Sequence, residues 1–165
     1  MHGSKFSKKS EFGHQLEEKQ KARYVFGLTE RQISNYFKKA ASMQGDTGQN
    51  LLRLFERRLD NVIYVTQFAV TRVQARQMIS HGHFKLNGHR IDTPSVLVRP
   101  GDKIELSQKL ASSSLYGGLD KLKDYSPKWL KADLKKFTVD VLVIPDKDDL
   151  EKTIDSQLIV EFYSR

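Results

Sequence analysis

Between residues 71 and 106 the hydrophobic rhythm switches from helical to alternating, and that switch constrains the fold more than any other feature of the 165-residue chain. Thr71 with Gln74 three residues later reads as a capping box. Ala75, Met78 and Ile79 then form the apolar arc of a short helix that Gly82 stops. His83-Phe84-Lys85-Leu86 and His89-Arg90-Ile91 alternate on either side of Asn87-Gly88, a dipeptide that accepts the two positive-φ positions of a tight hairpin. Residues 95–99 and 103–106 alternate again around Pro100-Gly101-Asp102. Upstream, residues 51–64 read as one amphipathic helix, with Leu51, Leu52, Phe55, Leu59, Val62 and Ile63 on one arc and Arg53 and Arg57 opposite. Two helices therefore lead directly into a compact set of short strands.

The flanks are less ordered in pattern. Residues 1–9 are small, polar and basic and read as flexible. A helix is predicted over 10–26 with Gly27 as its stop. Thr29 with Gln32 caps a second helix that fades near Ser42, and residues 45–48 read as a loop. A weak helix over 110–122 is interrupted by Gly117-Gly118, and residues 137–144 read as a strand. Residues 148–165 stay ambiguous, because Leu158-Ile159-Val160 has strand propensity within a helical pattern. Tyr116, Tyr125 and Trp129 read as core aromatics, with stacking on bases as the other reading.

Charge locates the working surface. The net charge is +8, of which residues 1–60 carry +5 and residues 61–109 carry +4, while residues 110–165 carry −1. A polyanion facing the first two thirds of the chain is the expected partner. Arg72 and Arg76 lie one helical turn apart, Gln77, Ser80 and His81 continue that polar side, and Lys85, Asn87, His89 and Arg90 crowd the hairpin tip. With Arg53 and Arg57 this makes a helix-and-hairpin surface suited to phosphates and to the backbone or minor groove of an A-form RNA helix.

Other chemistries find little support. There is no cysteine, so neither disulfides nor thiolate metal sites enter. His81, His83 and His89 with Asp92 offer too few convergent ligands for a metal. The acidic run Asp146, Asp148, Asp149 and Glu151 lacks the spacing of a calcium loop and reads as helix-start charge or solvated loop. No nucleophile elbow, phosphate loop or dinucleotide fingerprint occurs, so no catalytic residue, metal or cofactor is expected. No stretch reaches transmembrane length and the N-terminus lacks a secretion signal's apolar core, which fits a soluble intracellular protein without membrane partners.

The run RLDNVIYVTQFAVTRVQARQMISHGHFKLNGHRIDTPSVLVRPGDKIEL resembles the RNA-binding module named after small-subunit ribosomal protein S-four. RNA-modifying enzymes also use that module, so an enzyme, or an RNA chaperone acting off the ribosome, is the alternative reading. The flanks SEFGHQLEEKQKAR, YVFGLTERQ and LIVEFYSR resemble the helical part of the ribosomal protein family itself. The resemblance implies an α+β, mainly helical fold. A discontinuous helical domain, residues 1–56 completed by 140–165, carries an inserted module of helices and antiparallel strands over 57–139. It implies direct binding of small-subunit rRNA to nucleate assembly of the subunit body, and location in the small ribosomal subunit of the cytoplasm or an organelle. It further implies contact with ribosomal protein S-five that bears on translational accuracy and, in some members, repression of the protein's own mRNA.

Carried over by residue, the implied RNA contacts are Arg57 and Arg58, Arg72, Arg76 and Gln77, and His81, His83, Lys85 and Asn87. The helical part adds Gln20, Lys21, Arg23, Arg31 and Gln32. Val65, Val70 and Val73 stand where the family often has basic or small polar residues, and Gln67 replaces a usual glycine. Met1-His2-Gly3 matches a motif that normally lies well inside the family sequence, so the resemblance implies that the usual N-terminal extension is missing.

Overall fold

The computed structural model describes residues 10–165, so the segment read as flexible, 1–9, lies outside the described residues. Two compact units are formed. The first runs through Leu51 and resumes at Lys152–Arg165, and the second is Leu52–Glu151. The expected boundaries, after residues 56 and 139, differ from these. The first division falls inside a continuous helix. Residues 140–151 stay with the second unit, where Leu142 N donates to Trp129 O at 2.9 Å and Arg53 Nε to Pro145 O at 3.0 Å.

In the first unit, α1 (Glu11–Phe26) starts where Ser10 accepts from Gly13 N and ends where Gly27, at φ +66, lets Leu28 N donate back to Arg23 O. α2 (Glu30–Ser42) has the predicted capping box made in both directions: Gln32 N donates to Thr29 Oγ1, and Thr29 N to Gln32 Oε1. α3 (Thr47–Glu56) begins inside the expected loop, because Asp46 Oδ1 accepts from Gln49 N and caps it. The ambiguous C-terminal stretch resolves as α6 (Ser156–Tyr163), capped by Asp155 and packed on α1 and α2. Ala22, Phe26, Ile33, Ala40 and Ile159 are buried in this unit. Phe162 stacks on Phe12 at 5.7 Å, Tyr163 stacks on Phe37 at 5.2 Å, and Arg165 donates to Gln15 Oε1.

The helix predicted over 51–64 breaks in two. α3 ends at Glu56, and α4 (Leu59–Val65) follows Arg58, whose backbone is extended at φ −65, ψ 141. The reason lies downstream. Leu59 N and Asp60 N, which a continuous helix would aim four residues back, donate instead to Val96 O and Pro94 O, while Val98 N donates to Arg57 O. Residues 95–99 are consequently no strand; they form one bridge, Leu97 to Arg58, that occupies the helix break.

α5 (Arg72–Ser80) begins with only half of its predicted capping box. Thr71 accepts from Gln74 N, but the Gln74 side chain takes Val70 N in place of Thr71 N. Gly82 sits at φ +75 and allows His83 N to reach Met78 O, closing the helix as expected. The strands β1 (Phe84–Leu86), β2 (His89–Ile91), β3 (Lys103–Leu106), β4 (Leu130–Asp133) and β5 (Thr138–Val141) form an antiparallel sheet in the order β2-β1-β3-β5-β4. Asn87 at φ +52 and Gly88 at φ +83 make the predicted hairpin turn.

The weak helix expected over 110–122 is a string of 3-10 turns at Gln108–Leu110, Ser114–Tyr116 and Leu119–Lys121. The strand expected over 137–144 stops at Val141, and β4 was not anticipated. Inward residues Phe84, Ile104, Leu106, Leu130, Val139 and Val141 meet Leu59, Val62, Ile63, Ala75, Met78 and Ile79 in one core, which Tyr116 and Trp129 complete. Tyr125, read as a core aromatic, is instead 69% exposed. The fold is α+β, with short antiparallel strands beside its helices.

Candidate nucleic-acid interface

The basic residues of the second unit divide by how they are held. Asp60, 1% exposed, is the hub of α4 and α5. Arg58 Nε and Nη2 donate to its two oxygens at 3.1 and 3.0 Å, and Arg76 Nη1 lies 3.9 Å from Oδ2. Beside it, Asn61 Oδ1 accepts from Arg72 Nε at 3.1 Å while its Nδ2 donates to Glu56 O and Oε2. The Arg72 guanidinium also lies 4.3 Å over the Tyr64 ring. Burial pushes the Glu56 carboxyl up to about 7, and burial lowers the Arg72 pKa against the pull of its acidic neighbours.

This corrects the expected surface. Arg58 is 2% exposed and its guanidinium grips Asp60, so it serves the helix break and not a ligand. Arg72 and Arg76 do not simply project from a solvated face; they are tethered, half-buried, to Asn61 and Asp60. Tethering fixes their position at the cost of reach. Arg53 Nε donates to Pro145 O and Arg57 Nε to Val98 O, each at 3.0 Å, so both reinforce backbone. Asn87 is exposed, yet its amide is engaged: Nδ2 donates to Asp102 Oδ1 and Oδ1 accepts from Lys103 N, each at 2.9 Å. It joins the hairpin tip to the next turn.

The remaining groups form a continuous patch. Gln77 and His81 lie one turn apart along the end of α5, and both are exposed. The His83 ring is 6.0 Å from that of His81, and His83 Nδ1 hydrogen-bonds Tyr116 Oη at 2.8 Å. Burial, then the neighbouring His81, lowers the His83 pKa. Arg90 lies across Gly82, its guanidinium filling the space a Cβ there would take, while the positive φ of Gly82 is what favours glycine at this corner. Directly across the hairpin from Arg90 stands Lys85, on the outward face, and His89 is exposed at the turn. Helix end, glycine corner and hairpin thus present Gln77, His81, Arg90 and Lys85 together.

In the first unit the predicted contacts are also sorted. Gln32 is the α2 cap. Lys21 donates to Glu18 at 2.6 Å and to Thr153 O, and the Glu18 bond raises its pKa. Gln20 is half-buried, and Arg23 lies 3.3 Å from Glu30. Arg31 is exposed on the first turn of α2. Sequence reasoning missed Asp60, Asn61, Glu56 and Tyr64 as organisers of the arginines. The only available signal was the Asp-Asn pair directly after Arg57-Arg58-Leu59.

No helix among the described residues is long and apolar enough to cross a membrane. Comparison with known proteins matches the two parts of the chain separately. Residues 57–104 match the family described as S4 domain, and residues 1–56 match the Ribosomal protein S4/S9 N-terminal domain. The chain is 48% identical over 160 residues to the small ribosomal subunit protein uS4 of Syntrophomonas wolfei, covering 96% of this chain and 77% of that protein. Against the uS4 of Thermodesulfovibrio yellowstonii it is 45% identical over 169 residues, covering 99% and 80%. Against that of Persephonella marina it is 48% identical over 160 residues, covering 95% and 78%. With both segments matched and such similarity along nearly its whole length, the chain belongs to the uS4 family of small-subunit ribosomal proteins, structural components of the ribosome and not enzymes.

Proposed function

We propose that the protein binds small-subunit rRNA directly and acts by that binding alone, holding folded RNA so that the body of the small subunit assembles around it. The observation that carries the reading is the patch in which Arg90 crosses Gly82 to stand beside Lys85 and the exposed end of α5. Such a patch offers cations for phosphates and short-range donors for shape recognition of RNA. Arg72 and Arg76, with Gln77, His81 and His83, extend it along α5. Arg23, Arg31, Lys21 and Gln20 of the helical unit are proposed as further contacts. The helical unit is read as drawn from both ends of the chain, with the module inserted between them in sequence.

The resemblance to the family supports three finer elements of this proposal. They are a place in cytoplasmic small subunits, a contact with ribosomal protein S-five that bears on translational accuracy, and repression of the protein's own mRNA. A filter-binding titration against small-subunit rRNA tests the core of it. If six to ten phosphates are engaged, affinity falls by roughly 10³–10⁵ between 50 and 200 mM salt, on the scale known for duplex DNA. A flat salt response sinks the proposal.

A further inference from the structure

A groove of about 530 Å³ opens beside the α4–α5 loop, walled by Tyr64, Gln67 and Val70 from that loop and its helix and by Leu122, Tyr125 and Pro127 from the segment before β4. Its volume is within the range of small-molecule sites. Its walls are apolar and aromatic yet open to solvent, with Val70 at 83% and Tyr125 at 69% exposure. Each tyrosine carries a cation against its ring: Arg72 at 4.3 Å from the Tyr64 centroid and Lys123 at 5.5 Å from that of Tyr125. Gln67 Oε1 is buried without a hydrogen-bond partner among the described residues, on a residue whose backbone is held at φ +72. A buried acceptor left unsatisfied is costly and points to a donor arriving from outside. Asp124, the acid next to Tyr125, is turned into its own loop, where its Oδ1 accepts from Ser126 N at 2.8 Å.

These features select one kind of occupant. Aromatic walls suit a flat π surface, an orphaned amide oxygen suits an edge N–H, and cations at the rim suit a phosphate. A purely apolar peptide would leave the rim charges and the Gln67 oxygen without use. We infer that the groove takes one unstacked nucleobase of RNA, stacked against Tyr125 and Tyr64, with an edge N–H donated to Gln67 Oε1 and its phosphate beside Lys123. The inference rests on the RNA-binding role proposed above and assigns that role a base-reading position separate from the hairpin.

The test uses the full chain and small-subunit rRNA. Tyr125 stands clear of the core, so Tyr125→Ala retains the fold, which thermal unfolding verifies. It lowers affinity about 5- to 150-fold, the range for losing one base–aromatic stack. The log–log salt slope stays unchanged, because stacking releases no counterions. Gln67→Gly, which suits the positive φ and deletes the amide, lowers affinity about 2- to 10-fold. Ultraviolet crosslinking of the wild-type complex, read by mass spectrometry, places a nucleotide on Tyr125 or Tyr64. Wild-type affinity in both variants, with crosslinks confined to α5 and the hairpin, overturns the groove assignment and leaves the RNA-binding role standing. A groove occupied in small subunits by a protein crosslink also overturns it. Failure of the wild-type chain to bind rRNA at all removes the role and the groove together.

Discussion

Arg58, Arg72 and Arg76 of the helix pair and Lys85 and Arg90 of the hairpin carry the same charge, yet they are held in opposite ways. The arginines of the helix pair are tied to Asp60 and Asn61, and Arg58 is wholly enclosed. The hairpin pair stands outward on two short strands, and Arg90 is positioned by lying over a glycine, with no carboxylate in that contact. Charge counting treats the two groups alike. Burial separates them: an enclosed cation must have its partner, whereas an exposed one is available to a polyanion. The helix pair contributes stiffness and preset positions, and the hairpin contributes the more accessible charge.

Asp60→Ala presses hardest on this comparison. It strands Arg58 in the interior without its counter-charge, and a loss of about 3–5 kcal/mol in urea unfolding is expected. A loss near zero would mean that Arg58 escapes to solvent and that the two regions are alike after all. Glu56 gives the next largest effect. Its folded pKa of about 7 lies above the ordinary 4.5, so the folded state holds more protons than the unfolded one between those values. Stability is therefore greatest below about pH 4.5 as far as this group is concerned. It declines by up to about 3 kcal/mol as pH rises to about 7, and levels off above. Glu56→Gln flattens that dependence, as denaturant midpoints collected from pH 5 to 8 would register.

Substitutions on the hairpin move the other observable. Lys85→Ala with Arg90→Ala leaves stability within about 0.5 kcal/mol. It lowers the magnitude of the salt slope for rRNA binding by about 2, one for each phosphate contact. Arg72→Ala with Arg76→Ala lowers both binding and stability, because the same side chains hold α5 to α4; a stable double mutant would contradict the tethering. The smallest effect is expected at Gln67→Gly, where relief of the left-handed backbone stabilises by at most about 1 kcal/mol in thermal unfolding.

Local signals in the sequence were strong where a few adjacent residues decide the outcome. The Thr29–Gln32 box, the Gly27 and Gly82 stops and the Asn87-Gly88 turn each act within one turn of backbone, and each appears where it was read. The break between α3 and α4 was not legible. The apolar arc over 51–64 is continuous, and the carbonyls that divert Leu59 N and Asp60 N belong to residues more than thirty positions away. β4 went unread for a similar reason, since Leu130-Lys131-Ala132-Asp133 has little strand propensity and is held by pairing with β5. Of the surface, Lys85 and Arg90 could be placed from alternation alone. That Arg58 points inward depends on Asp60 being enclosed with it, which helical periodicity does not encode.

The way α6 docks on α1, with Arg165 reaching back to Gln15, has a consequence for how the chain comes off the ribosome that makes it. Every segment of the second unit has been synthesised by Glu151, before any of α6 exists. The order of translation therefore leaves α1 and α2 waiting for a helix that is made after every residue of the second unit. A nascent chain stalled just after residue 151 would carry its basic hairpin while α1 still lacked its cover.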